Sequence, residues 1–438
     1  MAKIKCSFSQ CDITPRPNET MQDGYGSRLE PGKEARTKIF VKICSMCTSD
    51  SDRFLILSAD VCGFDHRLSE IIKDTVRYMT GVPQERIALC ATHTHTGPAC
   101  GVLESCGKNL IYWYRAAEII ARAAAGAVGK EEEGTFEFRI SSLPLKTIYN
   151  RCGRDYLDRR VKVGVFKNGE GAIKGLLVSA SSHPTVLGDY LYSGDYPGVM
   201  TVNMSVDYPG VPVVFLQGRG ADTNPYLREK LPADYLVNKL GTELSDSIKA
   251  GINELEGKPV ENYGIKSSYE MKEIPRKGFF TEEEYEQKIA AEYDKLFKTE
   301  APVSKRCVFP EIEWLKMCRD MQRDGKAAAV KAPLQVLKIA DGVIFTFIPF
   351  ELLCITGNTI EDKLVEMGYK RESIFVVGYA NEVLSYLAPA KDEIFDKGGY
   401  DIGGAFGAAS HWYNVPDCSK ATEPAVIDGI MKLVNDVK

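Results

Sequence analysis

The stretch Arg86-Ile87-Ala88-Leu89-Cys90-Ala91-Thr92-His93-Thr94-His95-Thr96-Gly97-Pro98 decides how this sequence is read. The run from Arg86 to Cys90 is apolar enough to be a buried strand, and Gly97-Pro98 forces a turn. The whole chain has 5 histidines, and two of them stand here one residue apart. Residues i and i+2 of a strand face the same way. His93 and His95 are therefore expected to look into one cleft, one as a metal ligand and the other as its hydrogen-bonding neighbour. Strand ends that turn sharply are where α/β proteins place ligands and catalytic groups. The competing reading is a pair of solvated or core histidines, and the rest of the chain weighs against it.

A chain of 438 residues, 44% hydrophobic and 26% charged, has the composition of a globular enzyme. Its formal net charge of -5 gives no reason to expect a nucleic acid or an anionic membrane surface as partner. The opening residues, Met1 to Gln10, are too polar for a secretory signal, and no apolar run is long enough to span a bilayer. The 13 cysteines are odd in number and scattered, which reads as reduced thiols and a cytoplasmic location. Cys44-Ser45-Met46-Cys47 is formally a CxxC, but no second pair lies at zinc-ribbon spacing, so its expected role is structural.

Strand and helix patterns alternate along the chain. Strands are expected at Ile39 to Cys44, Phe54 to Ala59, Arg160 to Phe166, Ile173 to Ser179, Val211 to Leu216, Val343 to Pro349 and Ile374 to Gly378. Helices are expected at Leu68 to Tyr78, Ile111 to Val128, Leu236 to Leu255 and Glu423 to Val437. The expected fold is α/β: mixed sheets flanked by helices in a single large catalytic domain covering 1–438. A charged helical excursion is expected at about 271–331, as a lid or a solvated helix pair. The glycine- and aromatic-rich stretch from Gly399 to Tyr413 reads as an ordered loop, either a plain connection or one that closes over a small polar substrate.

Several of these strands end on chemistry. Leu176 to Ala180 leads into His183, Val343 to Pro349 into Glu351, and Ile374 to Val377 into Tyr379, Asn381 and then Tyr386. If these ends share a sheet edge, two histidines and a glutamate form a zinc site of the catalytic type, with a phenol oxygen available to complete it. Nitrogen and oxygen donors together suit zinc better than calcium or magnesium. Asp60 and Asp195 are further candidates, the latter as a partner for the His183 ring.

In order along the chain, the motifs are Asp12-Ile13-Thr14-Pro15 with Gly24-Tyr25-Gly26 and Arg28; Ala91 to Pro98; Asn150-Arg151; Ser182-His183-Pro184 with Ser193-Gly194-Asp195 and Gly198; Pro349-Phe350-Glu351 with Thr356-Gly357; and Ala380-Asn381 with Tyr386. This series resembles the neutral, non-lysosomal ceramidases and their bacterial relatives. The resemblance implies zinc held by His93, His183, Glu351 and Tyr386, and His95 and Arg151 lining the substrate pocket.

Two departures shape the functional expectation. Ceramidases carry Gly-Asp-x-Ser-Pro-Asn, whose serine is catalytic; here the stretch is Gly220-Ala221-Asp222-Thr223-Asn224-Pro225, and Asn224 stands in place of that serine. An amide donates hydrogen bonds but is no nucleophile at neutral pH. The chain also ends at Lys438, too soon after Tyr386 for the β-sandwich domain of ceramidases. The expectation is a zinc-dependent hydrolase of an amide or related acyl bond in a small soluble substrate. Zinc-bound water would be the nucleophile, with His95, Arg151, Asp222 and Asn224 assisting and no stable membrane association. The alternatives are zinc chemistry on another bond of a polyhydroxylated metabolite (hydrolysis, elimination or isomerisation) and a non-catalytic binding homologue.

Overall fold

The computed structural model describes residues 3–226, 231–391 and 409–438. Its central strands are buried along their length and mostly apolar, because both of their faces are covered. Phe54–Ala59 shows the rule. Phe54 and Ile56 face one core, while Leu55, Leu57 and Ala59 face another. This period of two places the strand in the middle of a layered structure.

The larger sheet has eight strands in the order Val213–Gln217, Ile173–Ala180, Arg160–Asn168, Glu132–Ser142, Ile4–Asp12, Phe40–Cys47, Phe54–Ala59 and Ile87–Ala91. Its two end pairs are parallel and its centre antiparallel. The smaller sheet runs Tyr263–Pro275, Ala329–Ala340, Val343–Phe347 and Ile374–Val377, with the last pair parallel. The sheets pack face to face through one shared core containing Phe54, Phe136, Phe166, Phe345, Phe347 and Phe375. Helices His66–Thr80 and Leu110–Ala127 cover part of the outer face of the larger sheet, and Asp195–Asp207 and Ala233–Asn253 cover the rest. Helices Cys354–Glu366 and Thr422–Asp436 cover the smaller sheet. The result is four layers, α/β/β/α, as expected of mixed sheets flanked by helices. No helix among the described residues is long and apolar enough to cross a membrane.

The expected strands and helices are all present, with ends shifted by a few residues. The reading of the sequence passed over the strand Ile4–Asp12, where Ile4, Cys6 and Phe8 alternate with Lys5, Ser7 and Ser9 and only three apolar residues mark the buried face. It also misjudged the edges of the excursion. Helices occupy Glu282–Lys298 and Pro302–Arg323, whereas Tyr263–Pro275 and Ala329–Ala340 are long paired strands. Charged side chains on the outer strand Tyr263–Pro275 imitate a solvated helix. Residues 399–408 of the glycine-rich stretch lie outside the described residues.

A buried ion network ties the layers together. Glu361, on the helix over the smaller sheet, accepts from Arg219 at 2.8 Å, from Arg160 at 2.7 Å and from Lys162. Asp158 pairs with Arg160 at 2.7 Å and with Arg219 at 3.2 Å. Burial alone would push the Glu361 carboxyl up, but the facing Arg219, Lys162 and Arg160 bring it down to about 2. Because the folded pKa lies below the ordinary value of 4.5, this contribution to stability is present above pH 4.5 and is lost as pH falls toward 2. Glu361→Gln leaves buried cations without their counter-charge. It is expected to cost about 3–5 kcal/mol at pH 7 and to flatten the acid limb of stability, measured by urea unfolding across pH.

Candidate metal centre

Both sheets deliver their functional residues at one end. His93 follows Ile87–Ala91, and His183 follows Ile173–Ala180. Glu351 follows Val343–Phe347, and Tyr379 follows Ile374–Val377. Main-chain hydrogen bonds fasten the two sheets together there. Ala91 N–H donates to Tyr379 O at 3.1 Å, Gly378 N–H to Gln217 O at 3.0 Å, and Ala221 N–H to Leu352 O at 2.9 Å. The short parallel pair Glu351–Leu352 and Tyr386–Leu387 sets Glu351 directly beside Tyr386. Four non-glycine residues in this region, His93, Asp195, Tyr379 and Asn381, have φ between 52° and 68°. Left-handed backbone at such residues is costly and collects at functional sites.

The two imidazoles are oriented by main-chain carbonyls. His93 Nδ1 lies 2.6 Å from Cys62 O, and His183 Nδ1 lies 2.7 Å from Gly220 O. Each Nδ1 therefore carries the proton of the neutral ring, and each Nε2 presents a lone pair. Those Nε2 atoms are 3.1 Å apart, and Glu351 Oε2 lies 3.4 Å from one and 3.3 Å from the other. The residues are 1%, 0% and 1% exposed. Their ligand atoms all lie within 4.8 Å of one another. Three acceptors converging in a dry site repel one another unless a cation stands among them. The site thus fits a divalent metal with nitrogen and oxygen donors.

The protonation states agree with that reading. Burial, and then Arg151, brings the His183 imidazole down to about 4. Burial and the neighbouring His93 and His183 hold His95 well below its usual range. Burial opposes ionisation of Glu351, and it takes positive charge at the His93 and His183 positions to hold its carboxyl well below the usual carboxylate range, the charge that a cation among the three groups would supply. Neutral imidazoles and a charged carboxylate are the ligating forms.

Tyr386 receives a hydrogen bond on its phenol oxygen from Arg151 Nη2 at 2.7 Å. Arg151 N–H in turn donates to Asp222 O at 2.8 Å. The Asp222 carboxylate is fully buried and engaged. Oδ1 accepts from Cys354 N–H at 2.9 Å, and Oδ2 accepts from Asn150 Nδ2 at 2.9 Å. Asp222 thus braces the Asn150-Arg151 turn and the start of the helix Cys354–Glu366. Asn224 lies on the short strand Thr223–Pro225, opposite Tyr149 and next to that turn, and its buried Oδ1 has no hydrogen-bond partner among the described residues. His95 Nε2 lies 3.2 Å from His93 Nε2, and Tyr25 packs edge-on against its ring at 5.0 Å.

Two sequence candidates sit differently. Asp195 accepts from Leu187 N–H at 2.9 Å and Tyr196 N–H at 2.7 Å, while the His183 ring is served by Gly220 O. Asp60 faces away from the histidines and pairs with buried Lys42 at 2.6 Å. Two more phenols reach the site. Tyr379, which the sequence placed just after a strand, packs on His93 with ring centroids 4.2 Å apart, and its hydroxyl lies 3.4 Å from Glu351 Oε2. Tyr413, the last residue of the glycine- and aromatic-rich stretch, donates to Glu351 Oε1, a partner that nothing local in the sequence names. Trp314 Nε1 donates to Val415 O at 2.7 Å and stacks on His411 at 3.5 Å.

Gly24 is required beside His95. A Cβ there would lie 2.3 Å from His95 Cγ, and the backbone φ is +90°. Gly24→Ala should displace the His95 ring and destabilise the fold by about 1–3 kcal/mol, read from the midpoint of denaturant unfolding.

No family model matches the sequence, and no curated protein matches it. Solved structures do. The neutral ceramidase from Pseudomonas aeruginosa superposes with a TM-score of 0.74 at 16% identity, covering 100% of this chain and 75% of that one. A structure described as ceramidase complexed with C2 gives 0.73 at 15% identity, covering 100% and 76%. The expected resemblance holds at the level of architecture: the chain has a neutral ceramidase-like fold.

Proposed function

We propose that this chain is a zinc-dependent hydrolase acting on an amide or related acyl bond of a small soluble substrate. The observation that carries the reading is the convergence of His93 Nε2, His183 Nε2 and Glu351 Oε2, each left as an acceptor facing the others. With Tyr386 beside Glu351 in register, these residues would hold the metal. Bound zinc would supply Lewis acidity, polarising an acyl carbonyl and lowering the pKa of water toward neutral.

The chain's own groups divide the remaining work. Arg151 offers a fork of donors to an acyl or carboxylate oxygen while it holds the Tyr386 phenol. His95, kept neutral by burial, can accept the proton that the attacking water gives up during the reaction and pass it to the leaving amine. Asn224 Nδ2 donates to a developing oxyanion, a role open to an amide where ceramidases use serine as a catalytic residue. Asp222 positions the Asn150-Arg151 turn and does not touch substrate. The amide-cleaving chemistry named for the similar structures favours hydrolysis over the alternatives. The loss of the serine favours a compact polar acyl compound over long-chain ceramide.

Protein purified without chelators should contain about one zinc ion per chain, and His183→Ala should lose most of it, as measured by elemental mass spectrometry. Chains free of any transition metal would remove the basis of the assignment. Asn224→Ala should keep its metal and lose about 10²-fold in kcat on the best substrate from a panel of N-acyl compounds and esters. Unchanged kcat would make Asn224 a structural turn residue. On the same panel, polar N-acyl compounds should outrun detergent-dispersed ceramide, and the reverse order would restore a lipid substrate.

A further inference from the structure

The buried ion network around Glu361 and Asp158 opens at its outer end into a cavity of about 670 Å³, between the connection 143–159 and the helix Cys354–Glu366. No group assigned to the proposed hydrolysis lines it. Three guanidiniums do, those of Arg159, Arg160 and Arg371, together with the carboxylates of Asp158 and Asp362. Both carboxylates are already engaged. Asp158 holds Arg160 at 2.7 Å, and Asp362 holds Arg371 at 2.8 Å. The amide oxygen of Asn358 is engaged as well, accepting from Arg219 Nη1 at 2.7 Å and from Arg160 Nη2 at 3.3 Å. Arg159 stands apart: it makes no ion pair among the described residues.

Positive charge is also in surplus behind the lining. Lys162 and Arg219, both buried, share Glu361 with Arg160 and Arg371. Lining and network together set five cations against three carboxylates. Burial first, and then Arg219 and Arg160 beside it, bring the Lys162 ammonium down to about 7 in spite of Glu361. An anion brought to the cavity would relieve that repulsion.

The lining narrows the choice of anion. Guanidinium forks match the oxygens of phosphate and carboxylate. A surplus of two positive charges favours a group carrying nearly two negative ones, which at pH 7 is a phosphate monoester. Leu143, Pro144, Leu145 and Leu157 make up the apolar part of the wall and would cover a carbon body on the ester.

We propose that this cavity binds a small organic phosphate monoester, its phosphate held by Arg159 and Arg371 and its carbon body against Leu145 and Leu157. The site stands independently of the hydrolase reading, since none of its lining residues belongs to the metal centre.

The test is calorimetric titration of the full chain with n-butyl phosphate, inorganic phosphate, sodium butyrate and n-butylammonium chloride at pH 7 and matched ionic strength. The monoester should bind saturably. Inorganic phosphate leaves the leucines uncovered and butyrate carries a single charge, so each should bind at least about tenfold more weakly, and the ammonium should not bind. Arg159→Ala removes a cation without stranding a carboxylate. It should weaken monoester binding by about tenfold or more with the thermal midpoint preserved. Monoester binding unchanged in Arg159→Ala, equal affinity for the monoester and either inorganic phosphate or butyrate, saturable binding of the ammonium, or no saturable binding of the monoester would overturn the proposal.

Discussion

The arrangement at the candidate metal centre depends on two main-chain carbonyls, those of Cys62 and Gly220. Each takes the Nδ1 proton of an imidazole, and by doing so turns an Nε2 lone pair toward the other ring. Nothing else in the site fixes the tautomers as directly. Reaching these carbonyls demands unusual backbone. His93 adopts a φ of 68°, and Tyr379, whose ring packs on it, a φ of 52°. The fold tolerates that strain because the hydrogen bonds joining the two sheets, Ala91 to Tyr379 and Gly378 to Gln217, run through the same residues. Fastening of the sandwich and orientation of the ligands are one structural device.

Much of this was legible in the sequence. Apolar runs buried on both faces, such as Phe54–Ala59, announce themselves because all but one of their residues are hydrophobic. The histidines and Glu351 announced themselves by standing immediately after such runs. The illegible parts share a physical cause: their roles are set by distant partners. Tyr413 touches Glu351 across 62 positions of sequence, held there by a helical hairpin whose own charged surface reads as solvated. Asp195 looked like a partner for His183, but nothing local reveals that Gly220 O would reach the ring first. The strands Ile4–Asp12 and Tyr263–Pro275 do alternate apolar with polar residues, Ile4, Cys6 and Phe8 against Lys5, Ser7 and Ser9 in the first, so that signal was present, though far weaker than a continuous apolar run.

The surroundings of Glu351 show how a carboxylate can be made one-sided. Tyr413 donates to Oε1, while Oε2 faces the two imidazoles and lies near the Tyr379 hydroxyl. The phenols keep their protons, since burial and the adjacent Glu351 charge push both hydroxyls well above the usual range. A phenol that cannot ionise is a dependable donor, so the two oxygens of Glu351 are differentiated by fixed hydrogen bonds. Ligand carboxylates held in this way have less freedom to rotate or to change denticity.

Tyr413 also connects the excursion to chemistry. Trp314, on the helix Pro302–Arg323, holds Val415 O and stacks on His411, two residues before Tyr413. The hairpin packs on its own small core of Tyr285, Ile289, Trp314, Leu315 and Cys318. A unit with so small a core is less firmly held than the sandwich it sits on, and elements of low local stability are the ones that move first. These contacts run unbroken from the core of the hairpin, through Trp314, His411 and Val415, to the phenol that donates to Glu351 Oε1, so the excursion bears on the site through packing.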